Sequence, residues 1–262
     1  MTSSQPAPGW FRRHFNEDYR TIYSGRDQAQ AEMETELIVK ELKIRPGESV
    51  LDLCCGFGRH LAAFERRGIR SLGVDLSLPL LLQVPGLQGT RNLRNVVCAD
   101  MRALPFPGGE KGFQVVVNLF TSFGYFETEA ENRVAAAEMS RVLRPGGRFL
   151  MDLMNAGPAI RTLEPKTERD FGPFRLVEER SYDAPRHRME KHIELFREGS
   201  KEPKRYFESV RIFTRTEILD LLSGAGLQVE KMLGDFTGRE YSSNTLRMIV
   251  LGRKADASGA SF

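Results

Sequence analysis

Cysteine is scarce in this chain, with three residues at Cys54, Cys55 and Cys98. An odd count with two adjacent members excludes an ordinary disulfide framework, and the absence of a C-x-x-C pair removes the usual zinc spacing. No metal site is expected. Free thiols at the ends of apolar strands fit a reducing compartment. No apolar run reaches the ~18 residues that span a bilayer, and the first residues lack the positive-then-apolar order of a secretory signal. A cytoplasmic protein with no membrane partner is the expectation. A dominant charge is missing too: 38 basic residues against 35 acidic ones leave a formal net charge of +3. Dedicated nucleic-acid binders usually carry a more concentrated basic block.

What is present is enough for a sizeable core, with 40% hydrophobic residues in 262. That length suits one large domain or one domain with an insertion. Residues 1–26 read as a Ser/Pro-rich tail followed by an aromatic cap: Trp10, Phe11, Phe15, Tyr19 and Tyr23. A helix is predicted from Asp27 to Leu42, ended by Pro46-Gly47. Strands are then predicted at Ser49–Leu53, Ser71–Val74, Asn95–Ala99, Phe113–Leu119 and Arg148–Leu153, with helices at Arg59–Arg67 and Thr128–Leu143. Strands alternating with helices predict a mostly parallel sheet covered on both faces.

Residues 157–212 break that rhythm. Arg175–Tyr182, Arg188–Phe196 and Arg205–Phe213, separated by turn formers, predict antiparallel strands inserted after the fifth strand. A helix at Thr214–Ser223 and strands at Gln228–Leu233 and Leu246–Arg253 complete the pattern. The expected organisation is a main domain over 27–156 and 213–254, an insertion over 157–212, and a flexible end over 255–262.

The first strand runs into a glycine turn, Asp52-Leu53-Cys54-Cys55-Gly56-Phe57-Gly58-Arg59-His60. Glycines let backbone approach a ligand, and the helix that follows offers free N–H groups. A dinucleotide fold has a similar turn, but Leu61 occupies the place of its third glycine. Asp75 ends the second strand, where a carboxylate can accept both ribose hydroxyls of an adenosine. Asp100 ends the third strand beside Met101, suited to an adenine amino group and ring. Leu119 ends the fourth, at the rim where open α/β sheets bind ligands. The competing readings make Asp52 a turn former, Asp75 a helix cap, Asp100 a solvated loop acid, and Cys54 and Cys55 small packing residues.

These segments resemble the ordered motifs of class I S-adenosylmethionine-dependent methyltransferases: the glycine turn, Gly73-Val74-Asp75-Leu76-Ser77, Ala99-Asp100-Met101 and Leu143-Arg144-Pro145-Gly146-Gly147. The resemblance implies an α/β, Rossmann-like seven-stranded sheet and S-adenosyl-L-methionine as cofactor. It assigns Asp52, Cys54, Gly56 and Gly58 to the methionine end, Asp75 to the ribose, Leu76, Asp100 and Met101 to the adenine, and Leu119 to the floor under the sulfonium. Tyr23 and Arg26 resemble a Tyr-x-x-Arg segment of related bacterial enzymes, in which Arg26 would pair with the cofactor carboxylate; a surface arginine is the competing reading. One departure is that Pro79, Pro85, Gly86 and Gly89 interrupt the helix expected after Asp75.

The segment Asn118-Leu119-Phe120-Thr121-Ser122-Phe123-Gly124-Tyr125-Phe126 lacks the Pro-Pro-aromatic motif of exocyclic-amine DNA methylases and the nucleophilic Cys of cytosine C5 methylases. It is similar to that of sugar-amine N-methyltransferases, with Tyr125 where they carry a His, and the insertion is similar to theirs and to that of glycine N-methyltransferase-like proteins. N- or O-methylation of a small molecule is implied, with Tyr125 an orienting group and the insertion a lid over the acceptor. His14, Tyr19, Arg239 and Tyr241 are further acceptor-side candidates. RNA methylation, through the Arg-rich stretches, and a non-catalytic cofactor-binding protein are the alternatives. A monomer or homodimer is expected.

Overall fold

Val50, Leu51 and Leu53 are fully buried, and their side chains alternate between two separate cores. Such a strand needs cover on both faces. The computed structural model describes residues 9–25, 27–84 and 95–255. It supplies that cover with α3 (Gln28–Glu41) and α4 (Arg59–Arg66) on one face, and α6 (Glu129–Val142) and α8 (Arg215–Gly224) on the other. The main sheet contains β1 (Ser49–Leu53), β2 (Arg70–Asp75), β3 (Val96–Cys98), β4 (Phe113–Asn118), β5 (Leu143–Met154), β10 (Leu227–Leu233) and β11 (Arg247–Lys254). Its seven strands lie in the order β10-β11-β5-β4-β1-β2-β3. Only β11 runs against its neighbours. The expected α/β, mostly parallel sheet is therefore the observed one.

The chain moves outward from β1 to β3, then restarts at β4 on the other side of β1. That reversal opens a crevice at the carboxyl ends of β1 and β4, the usual ligand position in such sheets. Local sequence fixes the helices around it. Thr128 and Thr214 form capping boxes with Glu131 and Glu217 at the starts of α6 and α8. After Asp75 the interrupted segment yields one helical turn, α5 (Leu78–Leu81), capped by Ser77; Pro85, Gly86 and Gly89 lie outside the described residues.

The insertion forms a separate four-stranded antiparallel sheet, β6 (Lys166–Phe171), β7 (Phe174–Asp183), β8 (Arg188–Arg197) and β9 (Lys204–Arg211). Neither β6 nor the short helix α7 (Ala156–Arg161) is foreseen from sequence. β5 also begins at Leu143, because the backbone turns extended immediately after α6 instead of after Gly147. The N-terminal aromatics lie on two helical turns, α1 (Phe11–His14) and α2 (Tyr19–Ile22). This cap is tied to the inserted sheet: Asp18 pairs with Lys204 at 2.7 Å and bonds Tyr206, and Arg169 donates to the Ile22 carbonyl.

Gly73 shows how closely the turn approaches its neighbour. A Cβ there would lie 2.5 Å from Cys55 Sγ and 2.7 Å from Leu61 Cδ1. Gly73→Ala is expected to destabilise the protein by ~1–3 kcal/mol, as overpacking does, measured as a lower urea midpoint. An unchanged midpoint would show that the turn has room to move.

Candidate functional site

The glycine turn begins with Cys54 in a left-handed conformation, φ 62°. Gly56 follows at φ 57° and Gly58 at φ 82°, where an added side chain is strained. Gly58 is the N-cap of α4 and leads to Arg59 and His60. The turn is held from the next strand: Asp75 Oδ2 accepts from Gly56 N at 2.8 Å, and Oδ1 accepts from Ser77 N at 2.8 Å. Burial raises the Asp75 carboxyl pKa, and the Ser77, Gly56 and Leu76 amides oppose that rise.

Two connected pockets flank the turn. The larger is lined by Cys54, Gly56, Asp75, Leu76, Asp100 and Met101, and roofed by Phe11, Phe15, Tyr19 and Tyr125. The first six are residues singled out from sequence, and the structure places them around one pocket. Asp100 is already engaged: Arg102 Nη2 and Nε reach its carboxylate at 2.6 and 3.0 Å. Met101 Sδ lies 3.7 Å from Cys54 Sγ, and burial pushes the Cys54 thiol pKa up. Cys54 is thus a protonated lining group, not a nucleophile.

The smaller pocket contains Tyr19, Tyr23, Asp52, Cys54, Gly56, Arg59, His60 and Leu119. Asp52 is 1% exposed, and its Oδ2 has no hydrogen-bond partner. Burial and the nearby Asp75 push its pKa up to about 8, against the pull of Arg59. An orphaned buried carboxylate oxygen is costly unless a ligand completes it. His60 Nε2 bonds Glu34 Oε2 at 2.7 Å, while burial lowers the imidazole pKa. Gly58 lines neither pocket and sets the start of α4. Arg26 lies outside the described residues.

A third cavity, about 540 Å³, lies between the carboxyl end of β4 and the inserted sheet. It meets the first pocket at Phe120 and Tyr125, and the second at Tyr23 and Phe120. Phe120 and Thr121 both have positive φ, 64° and 51°. Two consecutive non-glycine residues there are strained, of order 1–3 kcal/mol each. Their amides are fastened to Asp152: Phe120 N donates to its Oδ2 at 2.9 Å, and Thr121 N to its carbonyl at 2.8 Å. Arg247 Nε closes this anchor at 2.7 Å from Asp152 Oδ1. Thr121 Oγ1 is buried without a partner.

The insertion's face carries a row of charge that sequence reasoning missed. Arg180, Lys191 and Glu208 are aligned across β7, β8 and β9 by strand register. Glu208 accepts from Tyr23 Oη at 2.5 Å, contacts His14 Nε2 at 2.9 Å, and pairs with Lys191 at 2.8 Å. Burial pushes the Glu208 pKa up, but Lys191 and His14 outweigh it and hold the carboxyl well below the usual range. Tyr23 therefore turns its hydroxyl toward the insertion, and its ring, with Lys191 Nζ 4.7 Å from the centroid, stands between the Asp52 pocket and the third cavity. Burial and Glu208 keep that phenol protonated. Of the other acceptor-side candidates, His14 joins this cluster and Tyr19 lines the first two pockets. Arg239 is exposed, and Tyr241 Oη lies 3.5 Å from Asn155 Oδ1, away from all three cavities.

Residues 50–147 match the methyltransferase domain family. The chain is 28% identical over 236 residues to a dTDP-3-amino-3,4,6-trideoxy-alpha-D-glucopyranose N,N-dimethyltransferase of Streptomyces venezuelae, covering 84% of this chain and 93% of that protein. A cypemycin N-terminal methyltransferase of a Streptomyces species is 28% identical over 218 residues, covering 78% and 82%. Among solved structures, the CcbJ methyltransferase of Streptomyces caelestis superposes with a TM-score of 0.77 at 19% identity, over 92% and 98% of the two chains, a likeness of fold. Strand order, the glycine turn with its acidic followers, and the matched domain agree: the chain is a class I S-adenosylmethionine-dependent methyltransferase.

Proposed function

We propose that the chain methylates an amine of a small-molecule acceptor held beneath the inserted sheet. The supporting observation is the cavity of about 540 Å³ that joins both cofactor-side pockets at Tyr23, Phe120 and Tyr125. Of the two relatives described above, one is named as an N,N-dimethyltransferase of a dTDP-amino sugar and the other as an N-terminal methyltransferase of cypemycin.

The residues fit the cofactor. Asp75 suits the ribose hydroxyls, Leu76 and Met101 the adenine faces, and the orphan oxygen of Asp52 the α-ammonium. Asp100 reaches the adenine amino group only with whatever acceptor capacity Arg102 leaves it. The sulfonium, when bound, supplies an electrophilic methyl group. The chain's own contribution is alignment and exclusion of water. Phe11, Phe15 and Tyr19 cover the cofactor side, and the insertion covers the acceptor side as a lid. The Phe120–Thr121 turn, fixed by Asp152, separates the two. Tyr125, with Trp10 and Phe15 rings at 5.9 and 5.3 Å, orients the acceptor nitrogen through its hydroxyl. An amine must arrive neutral, so that its lone pair can align with the methyl group.

RNA is the weaker reading because several arginines of the insertion are matched by carboxylates. Arg175 pairs with Glu168 at 2.6 Å, Arg186 with Glu190 at 2.7 Å, Arg205 with Glu194 at 2.8 Å and Arg211 with Glu217 at 2.6 Å. Neutralised pairs leave few free charges for phosphates.

The test is S-adenosylhomocysteine release on a panel of amino sugars, peptides with free N-termini, and phenols. Turnover on one or more amines but no phenol is expected; turnover on phenols alone contradicts the proposal. With a turned-over amine, Tyr125→Phe should lower kcat about 10-fold, the scale of one hydrogen bond, with cofactor affinity unchanged. Normal kcat would make Tyr125 a packing residue.

A further inference from the structure

The third cavity is larger than an amino group alone requires, and its wall is divided by chemistry. Most of its charged residues are already engaged. Arg180 donates to Thr167 Oγ1 at 2.8 Å and to Glu178 Oε2 at 2.7 Å. Lys191 pairs with Glu208 at 2.8 Å and bonds Tyr23. Arg247 is tied to Asp152 through Nε at 2.7 Å. Glu208 is held by Tyr23, His14 and Lys191. Glu164, exposed at the rim, is the remaining charge on the wall, and it is negative. A phosphate or carboxylate here would meet cations already neutralised by the chain's own acids.

The rest of the wall is largely apolar and continuous. Met189 and Val210 are buried in one cluster, and Tyr125, Met154, Ala159 and Leu163 pack against it half-buried. All six line the cavity. The strip starts at Tyr125, which also lines the first cofactor-side pocket. It ends at Leu246, whose neighbour Arg247 pairs with Met154 across the sheet. Leu246 lines the cavity too, and it is 64% exposed, the highest value among the large hydrophobic residues described. A lone exposed leucine is ordinary. One that extends a half-buried apolar strip out of a cavity marks a ligand surface.

We infer that the acceptor is an amine with an uncharged, apolar arm: its nitrogen lies at Tyr125 and Phe120, and its arm runs along the strip to Leu246. The inference rests on this cavity being the acceptor site and adds the class of acceptor. The arm is buried equally before and during methyl transfer, so it should act on KM more than on kcat.

S-Adenosylhomocysteine release with n-alkylamines tests this, because propylamine to hexylamine differ in arm length but hardly in basicity. kcat/KM is expected to rise about threefold per added carbon, near the transfer gain of a buried methylene, mainly through KM. Diglycolamine matches hexylamine in length but carries ether and hydroxyl oxygens, and it should be about 10-fold poorer. Its ether oxygen makes the amine easier to neutralise, so basicity opposes the predicted order. Leu246→Ser should lower kcat/KM for hexylamine about fourfold, and leave propylamine turnover and S-adenosylhomocysteine affinity within about twofold of wild type. Leu246→Met should keep the wild-type slope. The inference is overturned if kcat/KM is flat across the series, if diglycolamine is the better substrate, or if other amines are turned over and no alkylamine is. It is equally overturned if Leu246→Ser leaves the slope unchanged or lowers both alkylamines alike. No turnover of any amine would instead overturn the reading of the cavity as an amine acceptor site.

Discussion

Asp75→Ala is expected to weaken S-adenosylmethionine binding about 100-fold, the scale of two charge-assisted hydrogen bonds. The carboxylate has two duties. It would accept the ribose hydroxyls, and it already accepts the Gly56 and Ser77 amides at 2.8 Å each. Removing it takes away the ligand contact and loosens the turn that shapes the pocket. The amides can turn to water or ligand, so the main sheet should persist, and a circular dichroism spectrum like that of wild type is expected. Calorimetry gives the affinity. A variant that binds as tightly as wild type would reduce Asp75 to the cap of α5.

Asp52→Asn separates function from stability. The buried carboxyl has its pKa raised from 3.8 to about 8. Between those values the folded protein binds a proton that the unfolded chain does not. This site's contribution to stability is therefore fully present below pH ~4 and lost as pH rises through about 8. Asparagine does not titrate. The cofactor-free variant should gain Tm relative to wild type as pH is raised from 5 to 9, with the difference levelling off above about 8. Above about pH 8, where the wild-type carboxyl is ionised, the same change should weaken S-adenosylmethionine binding about 30-fold, because a neutral amide replaces the partner of an ammonium. A Tm difference that does not move with pH would contradict the raised pKa. Unaltered affinity would leave Asp52 as a turn former.

The central sheet, and the candidate acids at its rim, were legible because they are local. The apolar runs of β1, β4 and β5 are buried on both faces, and each functional acid stands at the end of its own strand. Asp75 and Asp100 needed no tertiary information. The β6 strand was not legible: Lys166-Thr167-Glu168-Arg169-Asp170-Phe171 is polar on both faces and largely exposed, so no alternation marks it. The charged row Arg180, Lys191 and Glu208 depends on the register of three strands. No single-strand pattern reveals it, because the carboxylate partners of its cations lie on other strands or two residues away. Tyr23 was singled out from sequence as a candidate, but its link to Glu208 spans 185 positions.

The most direct measurement is a calorimetric titration of the wild-type chain with S-adenosylmethionine, beside Asp75→Ala under the same conditions. One site per chain with saturable heat in wild type, and a large loss in the variant, is the predicted result. No binding to wild-type protein, with the chain folded, would contradict the account.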